Sequence, residues 1–264
     1  MKLSIITPTL LPGQLEKTLP DWQRLAAGDF QTVVIDNGGL HGLVVEHAMD
    51  GLLIDHLVTN EFTVGPTRAY EQGRAVASGD IHGYIHDDVT IYEQGWDTRV
   101  LAEFDDPAVG VVGFGGGTIH GAPELYKTPY KLTQLARFGY RSNTDDAETH
   151  GQRFTGACDV AVLDGYAMFA RRELLEKCEG WPTDALPFHV YDYWLCCVAH
   201  RYGYRVRVVG VRCQHGGGQS STTPIHQDWA AKLGTSDQGL HTDGHRWLYD
   251  NFRDVLPWRV LEER

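Results

Sequence analysis

The sequence predicts an α/β fold built on a mostly parallel central sheet with helices on both faces. Three observations lead there: short β-rich runs recur through the first half, each is bounded by polar or glycine residues, and amphipathic segments lie between them. In order, the runs are LSIITPT (3–9), TVVID (32–36), LLIDHLV (52–58), HGYIHDD (82–88) and VGVVGFG (109–115). The helix-patterned segments are LEKTLPDWQRLAAG and PTRAYEQGRAVASG. Such alternation makes βαβ units, and ligands of such sheets gather beyond the carboxyl ends of the strands. Thr7, Asp36 and the triplet His86, Asp87 and Asp88 therefore fall on one rim.

From Gly116 to about Phe154 the pattern dissolves, apart from weak helical content around KLTQLARF, and a connection that long is usually functional or disordered. CDVAVLDGYAMFARRELLEKC then reads as a β-rich run passing through Asp164 and Gly165 into a helix. VYDYWLCCVAHRYG reads as a helix closed by Gly203, and YRVRVVGVRCQH as a strand ending on His215. From GGGQSS onward the chain is a polar and aromatic tail without a clear period. No internal repeat or low-complexity linker divides it.

The 264 residues suffice for a sizeable core, and 42% hydrophobic with 22% charged residues is ordinary for a globular protein. No apolar run is long enough to cross a bilayer, and MKLSIITPTLLPG lacks the long apolar segment and cleavage site of a signal peptide. The expectation is a soluble, cytoplasmic protein without membrane insertion. Cys158, Cys178, Cys196, Cys197 and Cys213 are odd in number and form no CxxC pair, which suggests neither a disulfide framework nor a zinc ribbon. A net charge of −12 argues against a surface that binds nucleic acid throughout, while leaving room for a local basic patch. GVVGFGGG misses the GxGxxG spacing and precedes no clear helix, so a dinucleotide-binding reading is set aside.

YIHDDV ends an apolar approach in one histidine and two carboxylates, which are either turn residues or a solvated or coordinating cluster. The order SIITPT, VVIDNG, NEFTVGPTRAYEQG, YIHDDV, VLDGYAMFARREL, FHVYDYWLCCVAHRYGYRV and CQHGGG resembles the family-2 glycosyltransferases of GT-A fold, especially their rhamnosyltransferase-like members, over residues 3–218. The resemblance implies one GT-A domain over 1–218, with a nucleotide-sugar half (1–115) and an acceptor and catalytic half (116–218). Residues 219–264, beyond the resemblance, are expected to form a C-terminal extension packed on that domain.

By that resemblance the enzyme is metal-dependent and moves a hexose or pentose from a nucleotide-diphosphate sugar, UDP-linked, to an acceptor hydroxyl. Thr7 and Pro8 would flank the base, Asp36 would accept a hydrogen bond from a ring N–H, and Arg68 would contact phosphate or sugar. The triplet falls where the family carries its DxD motif, whose metal offsets charge on the leaving diphosphate. Asp88 matches the metal-touching third position, and Asp87 in the middle would meet the sugar or ribose. His86 stands where an Asp is usual, which leans the choice between Mn2+ and Mg2+ toward Mn2+. His215 corresponds to a histidine that closes the metal site, and Gly216 to Gly218 to a loop that closes over the diphosphate. Asp192 in YDYW would be the base of an inverting transfer, Asp164 in LDG would orient donor or acceptor, and Trp194 and Trp181 would offer stacking surfaces.

Plainer readings stand beside these. Asp36 opens a turn, Arg68 is an exposed helix residue, His215 ends a strand, Asp192 is a stabilising charge at a helix start, and the tryptophans are core. For the acceptor, YKTPYKLTQLARFGYRSN (126–143) holds Lys127, Lys131, Arg137 and Arg141 among aromatics with no carboxylate. Stacking and phosphate pairing there make a hydroxymethylated base in DNA one candidate beside a glycan or a small-molecule hydroxyl. A solvated loop-helix with inward aromatics explains the same pattern. Two rivals remain: a nucleotidyltransferase, for which no Lys-bearing, Gly-rich loop follows the first strand, and a non-catalytic carbohydrate-binding protein, which His86 keeps open.

Overall fold

The computed structural model of the protein describes residues 1–38, 53–121, 140–142, 152–216 and 220–260. The chain begins with β1 (Leu3–Thr9), α1 (Pro12–Leu25), β2 (Gln31–Asp36), β3 (His56–Thr59) and α2 (Pro66–Val76). It continues through β4 (Ile81–Ile85), β5 (Val89–Ile91), α3 (Trp96–Glu103), β6 (Val109–Gly113), β7 (Gly115–Gly117) and β8 (Ile119–His120). Next come β9 (Tyr140–Ser142), β10 (Gln152–Arg153), β11 (Ala157–Val160), β12 (Val162–Leu163), β13 (Ala167–Arg171) and α4 (Arg172–Lys177). The last part holds α5 (Tyr191–Arg201), β14 (Arg205–Val209), β15 (Cys213–His215), α6 (Pro224–Lys232), α7 (Asp237–Phe252) and β16 (Trp258–Arg259).

The main sheet has the order β11-β14-β6-β13-β4-β1-β2-β3. Pairings β1 with β2, β1 with β4, β2 with β3 and β6 with β14 are parallel. β13 runs antiparallel between β4 and β6, and β11 antiparallel beside β14, so the sheet is mostly parallel, as the sequence predicts. Strand periodicity explains how both faces are covered. In β1, Ile5 joins the core beneath Leu15, Leu19 and Trp22 of α1, while its neighbour Ile6 joins Ala69 and Tyr70 of α2 on the other face. A cluster of this size supplies most of the favourable free energy of folding through apolar burial.

The α2 helix lies close on the sheet because residue 73 is glycine. A Cβ there would stand 2.3 Å from Ile6 Cγ2 and 2.9 Å from Ile35 Cδ1, both on β-branched side chains with little freedom to move. Gly73→Ala should therefore destabilise the fold. Overpacking costs about 1–3 kcal/mol, against at most about 1 kcal/mol of gained helix propensity. A lower urea midpoint for the variant is the expected result, and an unchanged or higher one would contradict this packing.

Several boundaries differ from the sequence reading. VGVVGFG splits at the buried Phe114: β6 ends before it, and β7 turns into a separate sheet ordered β10-β9-β7-β12. HGYIHDD ends as a strand at Ile85, so the triplet lies in the turn that follows. YRVRVVGVRCQH is two strands, not one. One further bond, Gly210 N to Gly156 O at 2.7 Å, extends the pairing of β14 with β11 past Val209; the chain then leaves the main sheet, and β15 pairs with β5 instead. The tail carries two helices, α6 and α7. Leu240, Gly244, His245, Leu248 and Phe252 form the buried side of α7, and its glycine and histidine interrupt the apolar period that would have betrayed it. Helix-start chemistry was nonetheless present: the Thr223 side chain accepts from His226 N, Pro224 opens α6, and the Ser236 side chain accepts from Gly239 N. Among the described residues, no helix is long and apolar enough to cross a membrane.

Candidate functional site

Beyond the carboxyl ends of β1, β2 and β4 lies a cleft of about 310 Å3. The turn that follows β4 forms its base. His86 N donates to Tyr166 O at 2.9 Å and Val89 N to His86 O at 3.2 Å, which holds the triplet as the chain passes into β5. Antiparallel pairing of β5 with β15 sets His215 opposite Val89, and Gly216 N donates to Asp88 O at 3.1 Å. Residues 129 positions apart are thereby brought together: His86 Nδ1 is 3.3 Å from His215 Nε2. His215 Nε2 is 3.4 Å from Asp88 Oδ1, and the His215 ring stacks on Tyr166 at 5.0 Å.

One ligand atom from each of His86, Asp88 and His215 lies within 4.8 Å of the others. Desolvation in the cleft, reinforced by the neighbouring His215, pushes His86 down to about 4, which keeps its imidazole neutral and able to offer a lone pair. Desolvation raises Asp88, but its hydrogen bond to His215 and the nearby imidazoles outweigh it, so the carboxyl sits below its ordinary range. Two imidazole nitrogens and one carboxylate oxygen could hold a divalent cation that accepts nitrogen as well as oxygen ligands, and they suit Mg2+, which prefers oxygen, less well. Asp87 turns another way: its Oδ2 accepts from Thr9 Oγ1 at 2.6 Å and its main-chain oxygen from Thr18 Oγ1 at 2.7 Å. Desolvation, with Asp88's charge adding to it, pushes Asp87 up to about 7.

The facing wall comes from α5. Its first turn follows Val190, a β-branched residue held at φ 70°, a strained conformation of the kind that clusters at functional sites. Asp192 is fixed by two main-chain donors, Gly165 N to Oδ2 at 3.1 Å and Tyr193 N to Oδ1 at 2.9 Å. Desolvation, then the charge of Asp164, raises it to about 7, a value suited to a proton acceptor near neutral pH. Tyr191, one residue earlier, places its hydroxyl 2.8 Å from His86 Nε2.

Pro8, His86, Asp87, Asp88, Asp164, Asp192 and His215 all line the cleft. Other candidates sit elsewhere. Thr7 is buried in β1, one residue short of the rim. Asp36 is 1% exposed; its Oδ1 accepts from Gly38 N at 3.1 Å in a turn-opening bond, and its Oδ2 has no partner among the described residues. Its neighbour Asn37 reaches the cleft. Arg68 is on the surface, paired with Asp184 at 2.6 Å. Trp194 and Trp181 are buried in the core with ring centroids 5.1 Å apart, so the aromatic lining is supplied by Tyr70, Phe188, Tyr191 and Tyr193 instead. The Arg141 guanidinium lies over the Phe154 ring at 5.5 Å. Lys127, Lys131, Arg137, Gly217 and Gly218 lie outside the described residues.

Sequence reasoning missed His189, His226 and His241, which line the cleft. His189 Nε2 and His226 Nε2 meet Asp237 Oδ1 at 2.8 and 2.9 Å, tying the α6 and α7 region to the loop before α5.

The Glycosyltransferase like family model matches residues 58–236. The chain belongs to that family. The matched stretch contains the triplet, Asp192 and His215. No curated protein sequence matches the chain. Among solved structures it is similar to the mannosyltransferase PcManGT from Pyrobaculum calidifontis in complex with GDP-Man and Mn2+, with a TM-score of 0.58 and 17% identity over 94% of this chain and 69% of that one. It is also similar to S. aureus TarS 1–349 in complex with UDP-GlcNAc, with a TM-score of 0.56 and 15% identity over 97% and 74% of the two chains. A third is GalNAc-T7 with UDP, GalNAc and Mn2+, with a TM-score of 0.62 and 14% identity over 86% of this chain and 47% of that one. The fold is therefore GT-A, and the protein is a glycosyltransferase.

Burial of imidazoles in this glycosyltransferase gives its stability a distinctive pH dependence. Burial pushes His82, His86 and His245 down to about 4 and His120 to about 3. An unfolded histidine titrates near 6.5, so between about 4 and 6.5 the unfolded chain binds more protons at these four sites and stability falls as pH falls. Asp87 and Asp192, raised to about 7, act in the opposite sense over nearly the same window, because there the folded chain holds their protons. Among these six groups the histidines outnumber the carboxyls by two, a net effect on the order of 2 kcal/mol per pH unit at the steepest point, and His189 and His200, also pushed down by burial, act in the same sense as the four. The urea midpoint should fall as pH is lowered from 6.5 to 4.5, and a level or rising midpoint would contradict it.

Proposed function

We propose that this glycosyltransferase moves a sugar from a nucleotide-diphosphate sugar to an acceptor hydroxyl by inverting displacement, with Asp192 as the base and a divalent cation on His86, Asp88 and His215. The observation that carries the reading is that the three-ligand cluster and a carboxylate raised to about 7 open on one cleft at the carboxyl ends of the strands. When bound, Mn2+ would offset the negative charge that develops on the departing diphosphate. Two neighbouring structures hold Mn2+, one beside GDP-Man and one beside UDP and GalNAc, and a third holds UDP-GlcNAc, which supports a nucleotide-sugar donor.

The chain's own residues do the rest. The rim at Pro8 and Asn37 receives the nucleoside of a UDP-linked donor, and the Asp36 carboxylate just behind Asn37, whose Oδ2 has no partner among the described residues, would have to become accessible to accept from a ring N–H of the base. Asp87, held by Thr9, faces the ribose or sugar, while Asp164 orients the donor sugar or the acceptor beside Asp192. The Asp192 carboxylate takes the acceptor's hydroxyl proton as the oxygen attacks the anomeric carbon, and the bond from that carbon to the diphosphate breaks. Acceptors in this reading are glycans or small-molecule hydroxyls, with hydroxymethylated DNA as a further arm of the assay.

A thermal-shift panel of nucleotide sugars tests the donor and cation together. A UDP-linked donor at a hundredfold excess over its Kd should raise the melting temperature by about 5 °C or more with Mn2+ and far less without it. Stabilisation by no nucleotide sugar under either condition would overturn the reading.

A further inference from the structure

We propose that Tyr191 is a positioning residue that fixes the tautomer and ring orientation of His86, so that the Nδ1 lone pair faces the cation cluster. The inference rests on reading His86, Asp88 and His215 as cation ligands. His86 has a partner on each ring nitrogen: His215 Nε2 lies 3.3 Å from Nδ1 and the Tyr191 hydroxyl 2.8 Å from Nε2. A neutral imidazole carries one N–H and one lone pair. Nδ1 can serve a cation only if the proton sits on Nε2 and is donated to the Tyr191 oxygen.

That arrangement requires the tyrosine's own proton to point away from His86. The ring of Tyr70, which is fully buried, stands edge to face with the Tyr191 ring at a centroid distance of 5.6 Å. In the proposed arrangement His86 Nε2–H donates to the Tyr191 oxygen, and the Tyr191 O–H turns away from His86, toward the Tyr70 side. The tyrosine ring is also held in place. A Cβ on residue 165 would lie 3.0 Å from both the Tyr191 hydroxyl oxygen and Cε2, so glycine at 165 lets the ring pack directly against that main chain. The same Gly165 donates to Asp192 at 3.1 Å, so one small structural unit positions the proposed base and the ligand histidine together. Partners on the far nitrogen of a ligating histidine commonly set its tautomer, and losing one weakens metal binding by about 10–100-fold.

The test combines Mn2+ titration, followed by electron paramagnetic resonance of the free ion, with nitrogen-15 NMR of the histidine rings in the metal-free protein. Wild type should show His86 as the Nε2–H tautomer. Tyr191→Phe should weaken Mn2+ binding about tenfold or more and shift His86 toward the Nδ1–H form. In a His86→Ala background, Tyr191→Phe should have no further effect on Mn2+ affinity, which separates a role through His86 from general loosening of the cleft. Wild-type Mn2+ affinity and tautomer in Tyr191→Phe would overturn the inference, as would an equal loss in both backgrounds. Failure of the wild type to bind Mn2+ would overturn the cation reading, and the metal-free ring spectra would then still decide whether Tyr191 sets His86.

Discussion

Asp192→Ala is expected to lower kcat by about 10²–10⁴-fold while leaving donor and Mn2+ binding near wild type. The proposed base is on the first turn of α5, and the cation cluster is in the turn after β4 and on β15, so the two functions are carried by different elements of one cleft. Removing the carboxylate takes away the proton acceptor and no cation ligand. The free-enzyme kcat/KM profile offers an independent check. Asp192 is pushed up to about 7 by desolvation and by Asp164, with the Gly165 and Tyr193 amides opposing that rise. The active form is the ionised one, so kcat/KM should climb with pH and level off above about 7. A residual rate near wild type in Asp192→Ala would remove it from the chemistry, as would a profile level from pH 5.5 to 8.

Asp88→Ala should have the complementary effect. It deletes the one carboxylate of the cluster, and with it the charge that faces His215 at 3.4 Å. Mn2+-dependent donor stabilisation should disappear, and kcat/KM should drop by about 10²–10³-fold through lost charge stabilisation on the leaving diphosphate. Asp88→Asn keeps one oxygen and should fall between. Calorimetric titration of Mn2+ and of donor reads both effects. Undiminished Mn2+ affinity in Asp88→Ala would show that the cation, if bound, sits elsewhere.

The legible and illegible parts of this molecule divide along physical lines. β1, β2 and α2 could be read because strands covered on both faces are nearly continuous apolar runs, and a Gly-Pro pair marks where α2 starts. The candidate set His86, Asp88, Asp164, Asp192 and His215 could be named because the order of motifs resembles the family-2 glycosyltransferases, although only the fold shows that they meet in one cleft. The division of YRVRVVGVRCQH could not be read. Its β-rich composition is continuous through Gly210, and the break shows only in the pairing partners, since β14 pairs with β11 and β6 while β15 pairs with β5. The α7 helix was hidden for a different reason: its buried side contains Gly244 and His245, which a hydrophobic period does not count. Trp194 and Trp181 misled because a large aromatic beside a candidate base looks the same in sequence whether it faces a ligand or the core, and here both are core. Tyr191 passed unnoticed for the converse reason: its importance lies in one hydroxyl oxygen aimed at His86.

The most direct measurement is a product assay by mass spectrometry, in which the purified protein with Mn2+ is offered a panel of nucleotide sugars against free sugars, small-molecule alcohols and DNA carrying hydroxymethylated bases. A mass gain of one sugar residue on an acceptor, with release of the nucleoside diphosphate and its loss in both Asp88→Ala and Asp192→Ala, is the predicted result. Transfer that persists undiminished in both variants would contradict the account, because the chemistry would then lie outside the cleft that these two carboxylates define.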